Sequence, residues 1–578
     1  MRVRITSLCL AAVVAAACGG GRPAPEGGPA TLVLQNGKIT TVESSQPEAQ
    51  AVAIRGDIIA AVGSNEDIAP YIGAETEVID LQGQFAMPGI IEGHGHFMNL
   101  GQSKMNLDLM DVKSWNEIID MVAAAARQAK PGDWILGRGW HQEKWTSKPE
   151  PDVEGFPVHD ALSKVSPDNP VMLTHASGHA AFVNAKTMEL ANITARTPNP
   201  PGGEILKDRR GQPTGLLRET AQGLAGRALA EWRSKKTPEE NRADAHRRIE
   251  LAVQEALANG VTTFHDAGSD FATIDIFKEA LENGELGIRL WVMVRESNEN
   301  LKAKLASYKA VGLGDNRLTI AALKKTIDGA LGSRGAWLLE PYADLPGHTG
   351  LNTIPVEEVE GAAQIALEHG VQLNVHAIGD RANREVLDIF EKAFASRPDA
   401  KDLRWRIEHA QHLNPADIPR FAQLGVIASM QGIHATSDAP YVLARLGPAR
   451  AEEGAYVWQK LMKSGAIISN GTDVPVERIN PIANFYASVT RKVNDGSVFY
   501  PDQRMSREEA LKSMTWNAAY AGKEESLKGS LAPGKLADIT VLSKDLLTVP
   551  DDEILSTRVV YTIVGGKVAY RAGQSTTD

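Results

Sequence analysis

Residues 88–97 read PGIIEGHGHF, a short apolar run that closes on two histidines, His94 and His96. On an extended strand, residues two apart project from the same face, so both imidazoles can reach one ion. The pattern returns along the chain. Lys324 in ALKKTIDGALGS, His376 in VQLNVHAIGD, His409 in WRIEHAQH and Asp473 in IISNGTDVPV each stand at the end of an apolar stretch. One HxH pair is a weak signal, and a single histidine closing a strand also reads as a hydrogen-bonded core residue. Ligands hundreds of residues apart meet only where a fold gathers many strand ends at one rim, as a parallel (β/α)8 barrel does. The expectation is an α/β fold with a TIM-like barrel and a metal-dependent hydrolytic site at its mouth.

The rest of the barrel follows from alternation. Apolar strands are expected at IRLWVMV near 288, LTIAAL near 318, VQLNVHA near 371 and VIASMQ near 426. Amphipathic helices lie between them, as in PEENRADAHRRIELAVQEALANG, which stops at Gly260 and leads into VTTFHD, the second barrel strand. Residues 31–88 and 526–578 read instead as short strands with tight turns, suggesting a small β-sandwich built from both termini around a barrel over 89–525. Asn36-Gly37, Gly56-Asp57 and Gln82-Gly83 read as hairpin turns. Residues 105–220, with Trp140, Trp145 and THASGHAAFVN, do not fit one barrel repeat and read as an insertion over the active-site mouth.

The chain has 578 residues and a formal charge of −11, with 43% hydrophobic residues, so it can bury a large core. That acidic balance, with no basic stripe, speaks against sequence-independent nucleic-acid binding. At the N-terminus, Arg2 and Arg4 precede SLCLAAVVAA, which ends in Ala15-Ala16-Ala17-Cys18. The run is shorter than the ~20 residues of a membrane-spanning helix and has the layout of an export signal. It resembles a bacterial lipoprotein signal over 1–17, with Cys18 lipidated and 18–30 a Gly- and Pro-rich tether. An ordinary cleaved signal is the alternative. The expected location is the cell envelope, with a lipid anchor as the sole membrane contact; Gly19 and Gly20 lean toward the outer membrane. The only cysteines are Cys9 and Cys18, so the folded body has no internal disulfide.

The motifs taken together resemble the amidohydrolase superfamily, in the branch that contains N-substituted formamide deformylases. AMPGIIEGHGHF, GRGWHQEKW, SGHAAFVN, KKTIDGALGSRGA, NVHAIGDRAN, RIEHAQH, NGTDVPV and GSLAPGKLADITVL occur in the order that branch shows. The resemblance implies that His94 and His96 bind one divalent metal, zinc in the first instance, and His376 and His409 a second, with Asp473 completing the site. It further implies that Lys324 can be carbamylated to bridge the two ions, since an ammonium has no lone pair to offer; Lys325 is the fallback, and an unmodified Lys324 would be a charge partner at the rim of a site holding one ion. Asp473 would be the general base and then the general acid, and His434 either orients or polarises the scissile carbonyl or is an exposed loop histidine. The substrate would be a small N-formyl or N-acyl amine or amino acid. An ester or lactone hydrolase, or an inactive surface binding protein, are the competing readings, and a homo-oligomer is left open. His434 and Asp438 fall just beyond the seventh strand, where this chain has Gly432 in place of a common proline. His175 and His179 belong to the insertion, and His265 borders the site or is structural. Arg334 meets either a substrate carboxylate or a surface acid. Glu92 is expected to orient a metal-binding histidine.

Overall fold

A computed structural model describes residues 27–573, apart from 141, 143–144, 176–179, 201–202 and 333. Cys9, Cys18, His179 and most of the tether lie outside the described residues. Eight parallel strands form the centre: β1 Ile90–Gly95, β2 Val261–Ser269, β3 Arg289–Val294, β4 Leu318–Thr326, β5 Gln372–Ala377, β6 Arg406–His409, β7 Ile427–Met430 and β8 Ile468–Asn470. Each pairs with its neighbour in chain order. Just past β8, the Asp473 N–H donates to the His94 carbonyl at 2.8 Å and the His96 N–H to the Val474 carbonyl at 2.8 Å, closing the barrel. Two glycines allow that seam. A Cβ on Gly471 would stand 2.4 Å from the His94 nitrogen, and one on Gly93 2.5 Å from the Asn470 carbonyl.

The helices between strands carry the caps their sequences announce. The helix Pro238–Ala258 starts at a Thr237–Glu240 capping box with proline in its first turn, and Gly260, at φ 79°, turns the chain into β2. The apolar faces of such helices pack on the outer faces of the strands in one continuous core that includes Ile249, Phe277, Leu305, Val359, Phe390 and Phe421.

Two further sheets flank the barrel. A four-stranded sheet of Leu32–Gln35, Ala51–Arg55, Ile58–Gly63 and Glu77–Asp80 shares an apolar core with a six-stranded sheet that mixes Lys38–Thr40, Glu48–Ala49 and Phe85–Pro88 with Ile539–Leu542, Val559–Val564 and Lys567–Arg571. This corrects two of the three expected hairpins. Gly56-Asp57 does join an antiparallel pair, but Asn36-Gly37 and Gln82-Gly83 each pass the chain from one sheet to the other. A tight turn fixes a reversal of local direction, whereas the pairing partner is chosen by which apolar face is buried.

Between β1 and β2, residues 107–219 form another six-stranded sheet, with a core around Trp115, Trp140, Leu173 and Phe182. Arg478, just after Asp473 in the chain, grips Asp108 and Asp111 at 2.7 Å each and ties this unit to the loop after β8.

Candidate metal centre

The ends of β1, β4, β5, β6 and β8 bring their polar side chains into one buried cluster. His94 is fully buried, and its Nε2 lies 3.6 Å from Asp473 Oδ1. His96, the N-cap of the helix Phe97–Met105, places Nε2 3.3 Å from the same oxygen. From the first turn of the helix Gly432–Leu446, His434 sets Nε2 3.8 Å from Asp473 Oδ2. Ring centroids of His94 and His409 are 4.7 Å apart, and those of His376 and His409 4.5 Å. Among the described residues, His94, His96 and Asp473 form one tight donor group, and His409, His434 and Asp473 another. His376 sits beside His409, but its Nε2 leans to Asp328 Oδ1 at 3.5 Å and it joins neither group.

The backbone bends to make this cluster. Residues 408 and 409 would point to opposite faces of a regular strand. His409 at φ 80° and Ala410 at φ 43° break the strand, so that the Glu408 and His409 side chains both reach the cluster. Asp473 sits at φ 58° in the same way. Left-handed backbone at non-glycine residues costs about 1–3 kcal/mol each and concentrates at functional sites.

Three partners fix which ring nitrogen carries a proton. Glu408 Oε2 accepts from His94 Nδ1 at 2.5 Å, and Gln431 Oε1 from His409 Nδ1 at 2.8 Å, leaving the Nε2 lone pair of each histidine facing the cluster. Gln431 is itself oriented by donating Nε2–H to the Ser429 carbonyl at 3.2 Å. At His434 the order is reversed. The Gln411 amide donates to Nδ1 at 3.0 Å, so the Nε2–H of His434 faces Asp473 as a donor.

Charge follows from burial and proximity. Burial and the Lys324 charge lower the basicity of His94, and the same causes bring His376 to about 3. Burial and neighbouring His376 hold His409 well below the usual imidazole range. These three rings are therefore neutral at pH 7. Burial alone would raise Asp473, but the hydrogen bond with His96 and its setting among His94, His409 and His434 hold it well below the usual carboxylate range. Burial lowers Lys324 to about 8 against the pull of Glu408 and Asp473. Its ammonium has no hydrogen bond or ion pair among the described residues.

This donor set fits a divalent transition ion. His94 Nε2, His376 Nε2 and Asp473 Oδ1 are buried without a hydrogen-bond partner, and each such group costs about 1–3 kcal/mol if left unmet. Neutral imidazoles beside an ionised carboxylate are what zinc and its neighbours take. Two ligands on a tetrahedral ion with bonds of about 2.0–2.1 Å stand roughly 3.4 Å apart, close to the 3.3 and 3.6 Å from His96 and His94 to Asp473.

The remaining candidates fall elsewhere. His265 points into the barrel interior, with Nδ1 3.1 Å from Arg406 and its ring against Trp291. His175 packs on Trp140 and meets Gln142 at 3.1 Å in the insertion. Arg334 pairs with Asp344 at 2.8 Å, the surface ion pair of its two readings. Lys325 turns outward and donates to the Glu296 carbonyl at 3.0 Å. Asp438 accepts from the Tyr456 hydroxyl. Glu92 departs from its expected role. It accepts the Thr472 N–H at 2.6 Å and the Thr472 hydroxyl at 2.9 Å, clasping the barrel seam, and touches only the backbone of His94. Glu408 holds the His94 ring instead. Sequence reading passed over it, although the alternation Arg406, Glu408 on a buried strand marks an inward carboxylate.

Residues 77–570 match the model of an amidohydrolase family. The chain is 34% identical to Protein LONG AFTER FAR-RED 3 of Arabidopsis thaliana over 94% of its length and 92% of that protein's. It is 27% identical to an N-substituted formamide deformylase of Arthrobacter pascens, covering 93% of this chain and 98% of that one. Among solved structures it aligns with an uncharacterized metal-dependent hydrolase from Pyrococcus horikoshii OT3 at a TM-score of 0.73 and 28% identity, covering 90% of this chain and 99% of that one. With its barrel, its cluster of neutral imidazoles around one carboxylate and these relatives, the chain belongs to the amidohydrolase family.

Proposed function

We propose that this protein hydrolyses an amide-type C–N bond in a small molecule at a divalent metal centre. The observation that carries the reading is the convergence of unpartnered His94 Nε2 and Asp473 Oδ1 on His96, beside His409 and His434. The likeness to an N-substituted formamide deformylase supports the choice of bond. His94, His96 and Asp473 would hold one ion. His409 and His376, with Lys324 as a carbamate, would hold a second; the lowered basicity of Lys324 enlarges the share of neutral amine that carbon dioxide requires. When bound, such an ion supplies Lewis acidity, acidifying water and polarising the substrate carbonyl.

The protein's own groups do the rest. Asp473, ionised at neutral pH, takes a proton from the attacking water and returns it to the departing nitrogen. The Nε2–H of His434, fixed by Gln411, donates to the substrate carbonyl oxygen as charge develops there. Glu408 and Gln431 keep His94 and His409 in the tautomers that leave Nε2 free. The expected setting is the bacterial envelope, through lipidation of Cys18.

Replacing Asp473 with Asn tests the mechanism. Turnover of N-formyl and N-acyl amines should fall by about 10²–10⁴ at zinc concentrations that keep the site loaded. Undiminished turnover would remove Asp473 from proton transfer. Matched esters run beside the amides decide the bond: turnover of the esters with none of the amides would replace the amide reading with an esterase.

A further inference from the structure

The alternation along β3 continues past its last residue. Trp291 and Met293 pack with Ala267 and Ala322 inside the barrel, and Arg289 is buried on the same parity below them. A period of two puts Arg295 next in that inward column, at the mouth. The six residues of β3 are buried, and Arg295 is exposed. Its N–H donates to the Ser269 carbonyl at 2.9 Å, and its Nη2 to Thr326 Oγ1 at 3.3 Å. Thr326 is the register partner of His376. Gly268, at φ 129°, leaves the space this side chain crosses: a Cβ there would lie 3.0 Å from Arg295 Cδ and 3.4 Å from Lys324 Cγ. The Arg295 charge accordingly reaches both Lys324 and His376.

Among the described residues, no carboxylate pairs with this guanidinium. Its neighbour Glu296 is engaged elsewhere, with Oε1 accepting from the Phe271 N–H at 3.2 Å and Oε2 from Asn300 at 2.8 Å. Arg334, whose fork the sequence offered for a substrate acid, is taken by Asp344. A planar guanidinium with one donor engaged, at the rim of a hydrolytic site, is built to take a carboxylate through two parallel hydrogen bonds.

We propose that Arg295 binds a carboxylate of the substrate, so that this site takes N-acylated amino acids in preference to N-acylated amines. The inference rests on the amide-hydrolase reading above. Its test compares N-formylphenylalanine with N-formylphenethylamine, which differ only in the carboxylate, on zinc-loaded protein. The wild type favours the acid in kcat/KM, and Arg295→Ala lowers that preference roughly 10- to 100-fold, the scale of a charged hydrogen bond. Arg295→Gln does the same, and Arg295→Lys, which keeps the charge without the fork, loses less. A wild type that turns over the formamides without preference for the acid, or a preference that neither Arg295→Ala nor Arg295→Gln moves, overturns the proposal. Calorimetry with 3-phenylpropanoate and 3-phenylpropanamide reads recognition without turnover. Tighter binding of the acid that depends on Arg295, in a protein that hydrolyses neither formamide, sinks the amide reading and leaves carboxylate recognition by Arg295 standing; equal binding of the two probes overturns that recognition.

Discussion

The chemistry of the site depends on single protons held in place by neighbouring residues. Glu408 accepts from His94 Nδ1 and is itself kept ionised: burial alone would raise it, yet His94, Lys324 and Arg406 bring it to about 2. A carboxylate in that position makes the imidazole a better ligand and fixes its orientation. Glu408→Gln should lower metal affinity about 10- to 100-fold, read by competition with a chelating dye; unchanged affinity would mean that His94 needs no anchor. The candidate ligands were legible because they close successive apolar runs and recur in one order along the chain. Glu408, Gln411, Gln431 and Arg295 were not, because their types are common and their roles come only from what they face. For Glu408 and Arg295, the inward parity of the strand was the usable signal.

At the scale of elements, the cluster exists because strand ends approach more closely than side chains would allow. The seam between β1 and β8 has glycine on both sides, and Glu92 spans it to Thr472. Gly471→Ala would force a methyl group against the His94 backbone, with an expected loss of about 1–3 kcal/mol of stability, read as a shift in the denaturant midpoint. Gly432 plays a similar part. A Cβ there would lie 2.1 Å from Ser488 Oγ, so the helix that presents His434 packs directly on the helix Pro481–Thr490. Barrel strands were readable from their apolar runs, since a strand buried on both faces needs little else. Of the turns in residues 31–88, Gly56-Asp57 was readable as a hairpin, whereas Asn36-Gly37 and Gln82-Gly83 were readable only as turns, because two sheets compete for the same short strands.

Over the whole molecule, the terminal sheet and the barrel are joined by a buried ion pair. Arg289, at the start of β3, grips Asp538 through two bonds of 2.7 and 2.9 Å, and Asp538 also accepts the Gly565 N–H at 2.9 Å. Burial alone would raise Asp538, but the Arg289 charge and hydrogen bonds lower it below the usual carboxylate range. A carboxyl lowered in the folded state contributes stability that is present above its unfolded value of about 3.9 and is lost as pH falls toward the folded value. Asp538→Asn should therefore cost about 3–5 kcal/mol at pH 7, by leaving Arg289 buried and unpaired, with the gap from wild type narrowing below about pH 4. Denaturant midpoints at neutral and acid pH check both parts. That long-range pair, between residues far apart in the chain, is invisible to local reading, whereas the ordered ligand motifs carried the barrel.

The centre itself is most directly tested by amide hydrolysis before and after metal removal. Turnover of an N-formyl amine should vanish on exhaustive chelation and return when zinc is restored, and full turnover by protein stripped of metal would contradict the site.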